Sequence, residues 1–171
     1  VRVRVSLGAP KITIIMFGGK IIILDDILSV AECNGLIKHF EDSKNKVEHQ
    51  GTHYVTLTEE DYYPNRLVKR INKITNNFLG KEIQVDWVNV VKWPTGSTQT
   101  PHYDSESPNV VFTSITYLND SYNGGKTFFV NDLEVVPKTG RTLFFDGNHY
   151  EHGVSEITND TRYTLAIWYK L

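Results

Sequence analysis

From residue 82 to the C-terminus, short stretches rich in Val, Ile, Thr, Tyr, Phe and Trp alternate with turn signals. No other feature narrows the fold as much: many short strands of this kind build a sandwich or a jelly roll. The expected strands are 83–93, 110–118, 126–130, 133–136, 141–146, 153–157 and 162–170. The turns between them are Asn123-Gly124-Gly125, Asn131-Asp132, Pro137-Lys138-Thr139-Gly140, Asp146-Gly147-Asn148 and Thr158-Asn159-Asp160, all residue types that favour tight reversals. Upstream, residues 20–24 (KIIIL) read as a buried strand. Two helices follow. Ser29 and Glu32 form a capping box for the first, with Val30, Cys33, Ile37 and Phe40 at helical spacing. The second follows Pro64, carries Leu67, Ile71, Ile74 and Phe78 on one face, and stops at Gly80. The expected class is mainly β with supporting helices on one side, and a jelly roll is open at one end, where a site can sit.

A chain of 171 residues suits one domain with a real core. It divides into an N-terminal extension or edge strand (1–19), a helical support (20–82) and a jelly-roll core (83–171). The opening Val-Arg-Val-Arg-Val alternates as a strand does, and the only Met is Met16. No function attaches to residues 1–15.

The formal charge is −2, which gives no global basic field for nucleic acid. Lys69, Arg70 and Lys73 read as a solvated helix face. Cys33 is the single cysteine, so an intrachain disulfide and a cysteine-based zinc site are excluded, and the thiol reads as core. No stretch has the length and apolarity of a membrane span or the pattern of a signal peptide. A cytoplasmic location without a membrane partner is expected on that ground. The sequence does not set the oligomeric state.

The chemistry concentrates in four residues. His102 and Asp104 are two apart, which on an extended segment puts both side chains on one face. Pro101 restricts the backbone before the histidine. His152 would come from a neighbouring strand. Two imidazoles and one carboxylate are the ligand set of a facial triad, which leaves the opposite positions of a divalent metal open. The spacing alone is equally met by a surface His102 beside an Asx-type turn at Asp104, with His152 capping a loop. His149 competes with His152 for the third place, whereas His39, His49 and His53 read as surface residues in or beside helices. Arg162 sets the four apart. It opens a strand in which Arg162, Thr164, Ala166 and Trp168 share a face, and an inward arginine suits an anion pocket. The competing reading is an outward residue after a turn.

Taken in order, these segments resemble the Fe(II)/2-oxoglutarate dioxygenases of the prolyl 4-hydroxylase type. The resemblance runs from about residue 85 to the C-terminus. Val90 to Gly96, then Pro101-His102-Tyr103-Asp104, is similar to the family's entry strand, turn and first two ligands. Thr116 to Asp120 with Gly124 to Phe129 is similar to its hairpin, and Pro137 to Phe145 to its next turn and strand. His152-Gly153-Val154 with Arg162-Tyr163 and Trp168 resembles the closing segment, and Ile27 to Cys33 its N-terminal support helix.

The resemblance implies a double-stranded β-helix, the cupin-like jelly roll, with Fe(II) on His102, Asp104 and His152 as the catalytic centre. It implies that Arg162 holds the 5-carboxylate of 2-oxoglutarate, assisted by the Tyr117 hydroxyl, with Thr164 and Trp93 lining the same pocket; core packing is the competing role for Trp93. O2 is the second co-substrate and ascorbate a candidate reductant. The implied reaction hydroxylates an unactivated C–H bond, first of all in a proline-containing peptide or protein, releasing succinate and CO2. Alternatives are a free amino acid or other small-molecule substrate, and a non-catalytic jelly-roll binding module. A zinc hydrolase would have no use for Arg162, and nucleobase demethylases usually place a second arginine where this chain has Trp168. The chain departs from the family in three places. Arg162 stands where collagen-type members carry Lys, Gln99 where Tyr is common, and Trp93 likewise. Residues 50–64 and 104–109 are candidate covers for the mouth of the barrel.

Overall fold

Which strand faces are covered decides this architecture. β12 (Thr142–Phe145) is buried at every position because both its faces are covered. In the computed structural model, residues 3–5, 12–16, 20–80, 82–104, 110–130 and 133–171 are described. In chain order the elements are β1 (Val3–Val5), β2 (Ile12–Met16), β3 (Lys20–Leu24), α1 (Val30–Asp42), β4 (Val47–His49), β5 (Thr52–Thr56), α2 (Tyr62–Leu79), β6 (Gln84–Trp93) and β7 (Gln99–His102). There follow β8 (Val110–Tyr117), β9 (Asn123–Gly124), β10 (Thr127–Phe129), β11 (Leu133–Val135), β12, β13 (His152–Val154), β14 (Ile157–Thr158) and β15 (Arg162–Lys170). Among the described residues the large sheet runs β1-β2-β3-β12-β8-β15-β6-β5-β4, and a smaller one runs β11-β10-β13-β7. The ladders are antiparallel. At the centre of the large sheet, β15 pairs in this way with β6 on one side and β8 on the other.

One face of the large sheet carries the helices. Ile22, Leu24, Val88, Val90, Phe144, Leu165 and Ile167 pack with Cys33, Leu36 and Phe40 of α1 and Leu67 and Ile71 of α2. The other face looks at the small sheet, where Ile21, Tyr117, Leu143 and Phe145 meet Phe129, Val135 and Tyr150. The helices therefore brace a sheet whose opposite side is free to build a site. No helix among the described residues is long and apolar enough to cross a membrane.

The helix signals hold in detail. The Ser29 hydroxyl accepts from the Glu32 N–H, and the Glu32 carboxylate accepts from the Ser29 N–H at 2.8 Å. Gly80 caps α2 at φ 66, a left-handed conformation that glycine adopts without steric cost. Glu32 also joins the two helices, accepting from Arg70 Nη1 at 2.8 Å and Nη2 at 2.9 Å. Hydrogen bonds from Arg70 hold its carboxyl down at about 2, against an ordinary 4.5. A depressed carboxylate contributes stability that is fully present above its unfolded value and is lost as pH falls through the folded one. The melting temperature should therefore fall between about pH 4.5 and 2, and Glu32→Gln, which keeps the capping geometry without the charge, should flatten that decline.

Several expectations need correction. The second helix begins at Tyr62, two residues before Pro64, because proline is tolerated in a first turn, where its missing N–H has no helical partner. Residues 50–64 are not a simple cover. Thr52–Thr56 is a strand paired to β6, and the stretch runs on into α2. His49 and His53 accordingly lie on strands and not beside a helix. The strands β4, β5 and β7 do not follow from the sequence pattern. Of the second candidate cover, 105–109 lies outside the described residues, as does the Asn131-Asp132 turn.

Candidate metal centre and anion pocket

Strand pairing brings the two histidines together. His152 on β13 stands opposite His102 on β7, and their rings lie 4.4 Å apart. Asp104 follows just past the end of β7, where its N–H donates to the Gly147 carbonyl at 2.9 Å. One carboxylate oxygen, Oδ2, accepts from the Thr113 hydroxyl at 2.5 Å. The other, Oδ1, lies 3.7 Å from His102 Nε2 and 3.8 Å from His152 Nε2. These separations are too long for hydrogen bonds. The ligand atoms lie within 4.8 Å of one another, close enough to converge on one cation.

The outer nitrogens explain the aim of the rings. His102 Nδ1 lies 3.1 Å from the Thr100 carbonyl, and His152 Nδ1 3.0 Å from that of Tyr150. A carbonyl can only accept, so each Nδ1 carries a proton and each Nε2 is the atom turned inward to ligate. Burial holds the His152 imidazole below its ordinary value, against the opposing pull of Asp104. Phe129 and Phe145 wall its ring. His149 sits outside this group, exposed on the preceding turn with its N–H donated to Asp146.

Gly147 has no room for a side chain. A Cβ there would lie 2.3 Å from Asp104 Oδ2 and 2.7 Å from the Thr113 hydroxyl. Gly147→Ala should therefore displace the carboxylate and weaken Mn(II) binding by about 10- to 100-fold, the range seen when groups that orient metal ligands are disturbed. Calorimetric titration of the metal checks this; unchanged affinity would mean that Asp104 is not a ligand.

Arg162 opens β15 opposite Trp93 and is 1% exposed. Its guanidinium lies 4.8 Å over the Trp93 ring and 5.5 Å from the Tyr117 ring centre. The Nε and Nη1 groups are buried without a hydrogen-bond partner. Thr164 is buried and accepts from the Trp93 indole N–H at 3.2 Å. Tyr117 is fully buried and donates to the Thr127 hydroxyl at 2.7 Å. Burial raises its pKa, with the Arg162 charge opposing. The four pocket residues expected from the sequence thus surround one another. Desolvating a cation with unused donors is expensive unless an anion completes it, and a carboxylate matches a guanidinium fork.

The two groups share one inner surface. Across the β10–β13 ladder, Thr127 faces Val154 and Phe129 faces His152. The pocket residue Thr127 and the triad are thus one two-residue repeat apart, roughly 7 Å, within reach of a five-carbon diacid. The donor set and the unpaired guanidinium both fit a divalent metal with such a diacid.

Three contributors were missed. Thr113 and Thr127 look like ordinary strand threonines, and their roles depend on partners 9 and 10 residues away. Trp87 stacks on Trp168, with ring centres 5.0 Å apart, and Trp168 stands opposite Thr113 in the ladder. Alternation along β15 already put Trp168 on the inner face, but Trp87 carried no signal of its own.

The sequence profile described as the 2OG-Fe(II) oxygenase superfamily matches residues 88–170, just under half of the chain. Human prolyl 3-hydroxylase 1 is 33% identical over 67 residues, covering 35% of this chain and 9% of that protein. Mouse prolyl 3-hydroxylase 2 is also 33% identical, over 10% of its length. The chain therefore spans about a tenth of the curated relatives it matches. Among solved structures, it resembles the viral collagen prolyl hydroxylase of Paramecium Bursaria Chlorella virus-1, solved with 2OG, at a TM-score of 0.74 and 19% identity, over 88% of this chain and 94% of that one. A Trichoplax adhaerens prolyl hydroxylase, solved with a hypoxia inducible factor peptide, gives a TM-score of 0.73 at 17% identity, over 88% and 83%. These likenesses establish the fold as the jelly roll of 2OG oxygenases.

Proposed function

We propose that the chain, whose residues 88–170 match the profile of the 2OG-Fe(II) oxygenase superfamily, is a peptidyl-proline hydroxylase that uses Fe(II), 2-oxoglutarate and O2. The observation that carries the reading is the His102–Asp104–His152 cluster on the same inner surface as a buried guanidinium with unused donors.

His102 and His152 would hold Fe(II) through Nε2, and Asp104 through Oδ1. Their own backbone and Thr113 contacts fix those atoms before metal arrives, so little ordering entropy opposes binding. Asp104 supplies the one negative charge, which leaves the centre net positive toward an anionic co-substrate. Arg162 would pair with the far carboxylate of 2-oxoglutarate, with the Trp93 and Tyr117 rings excluding water around it. When bound, the iron with its co-substrates supplies the oxidising chemistry: 2-oxoglutarate and O2 give succinate and CO2, and one oxygen atom enters an unactivated C–H bond. Ascorbate serves in this scheme only to keep the metal ferrous.

Substrate class rests on two supports. The similar curated proteins are prolyl hydroxylases, and the half-buried Trp87–Trp168 pair beside Thr113 offers a flat apolar wall that suits a pyrrolidine ring. Trp93 departs from the family's tyrosine, but its contacts are with Arg162 and Thr164, so that departure does not argue for another substrate. The test is succinate release with proline-containing peptides against free proline and other free amino acids, read together with the mass gain of one oxygen atom. Peptide-dependent turnover supports the proposal, and the position of the hydroxyl separates 3- from 4-hydroxylation. Turnover with a free amino acid alone would replace it with a small-molecule oxygenase, and no turnover with any substrate would favour a binding module.

A further inference from the structure

Tyr122 is used by nothing described so far. It is 7% exposed, and its hydroxyl is buried without a hydrogen-bond partner. A buried phenol normally finds one. Its ring packs with Val154, Ile157 and Trp93, and Trp93 is the indole lying against Arg162. Gly125, at φ 59, marks how close the two side chains come. A Cβ on it would lie 2.6 Å from Tyr122 Cε2 and 3.0 Å from Arg162 Cδ. The hydroxyl therefore shares its enclosure with the unused Nε and Nη1 of Arg162. Burial raises the Tyr122 pKa, opposed by the Arg162 charge and by the approach of the guanidinium to the phenol oxygen, so the phenol keeps its own proton to donate.

Of the hydroxyls nearby, Tyr117 already donates to Thr127, while Thr164 accepts from Trp93 and keeps its own proton. Two phenol rings thus flank the guanidinium, and of the two it is Tyr122 whose proton is free. We infer that Tyr122 is a second anchor for the distal carboxylate of the co-substrate, donating its hydroxyl to an oxygen that Arg162 also holds. The phenol hydroxyl and an unused guanidinium N–H would then be completed by one carboxylate. The pocket is so matched to a dicarboxylate keto acid over a monocarboxylate one, which would leave those donors buried and unpaired.

This rests on the reading of the site proposed above, and the test keeps the two apart. Wild type and Tyr122→Phe are loaded with Mn(II), and tryptophan fluorescence follows titration with 2-oxoglutarate and with 2-oxopentanoate, which lacks the distal carboxylate. Loss of a hydrogen bond to a charged group should weaken 2-oxoglutarate by about 10- to 100-fold and leave 2-oxopentanoate unchanged. Equal weakening of both would assign Tyr122 to packing alone and overturn the inference, as would unchanged binding of 2-oxoglutarate. A wild type that binds Mn(II) but not 2-oxoglutarate would refute the reading of the site itself and this inference with it. Matched melting temperatures establish that the variant is folded.

Discussion

His152→Ala is expected to abolish turnover and to weaken Mn(II) or Fe(II) binding by at least about 100-fold, more than the loss of an orienting group costs. The reason is geometric. His152 supplies one of three converging atoms from a ring 4% exposed between Phe129 and Phe145, so its loss leaves two protein ligands where there were three. His149 cannot substitute, because it sits exposed on the turn before β13. Truncation also opens a cavity that costs roughly 2–3 kcal/mol. Thermal melts with and without metal separate the effects. Wild type should gain stability from Mn(II) by mass action, and the variant should melt lower and show no gain. A variant that is still stabilised by the metal would remove His152 from the ligand set.

Arg162→Met should move stability and binding in opposite directions. In the free protein the guanidinium is 1% exposed, with Nε and Nη1 unpaired. An apolar residue of similar length relieves that desolvation, so the metal-free variant should melt at or above the wild-type temperature, by up to about 1–4 kcal/mol of added stability. The same change removes the partner of a buried carboxylate, and binding of 2-oxoglutarate should weaken by about 2–5 kcal/mol. Mn(II) affinity should not change, since Arg162 is no part of the triad. Calorimetry of the metal and then of the diacid reads all three. If the variant bound the diacid as well as wild type does, the anion would sit elsewhere.

How far the sequence carried these conclusions depended on whether a signal was local. The capping box at Ser29 and the stop at Gly80 are local, and both appear where the residues put them. Most strands after residue 82 were legible because alternation and turn chemistry are short-range. β5 and β7 were not. Thr-His-Tyr-Val-Thr and Gln-Thr-Pro-His are polar for strands, and they form because β6 and β13 offer them ladder partners. The triad and Arg162 were visible as residue types in a known order, and the pairings of β13 with β7 and of β15 with β6 place them. Thr113 and Thr127 were silent for the opposite reason: each makes its hydrogen bond, to Asp104 and from Tyr117, only once the sheets close over one another.

The central claim is one cavity that holds a metal at one end and a carboxylate at the other. A crystal structure of the protein grown anaerobically with Mn(II) and 2-oxoglutarate tests it most directly. The account predicts a metal bonded to His102 Nε2, Asp104 Oδ1 and His152 Nε2, chelated by the keto acid, with the far carboxylate against Arg162. A metal bound by other residues, or a far carboxylate pointing away from that guanidinium, would contradict it.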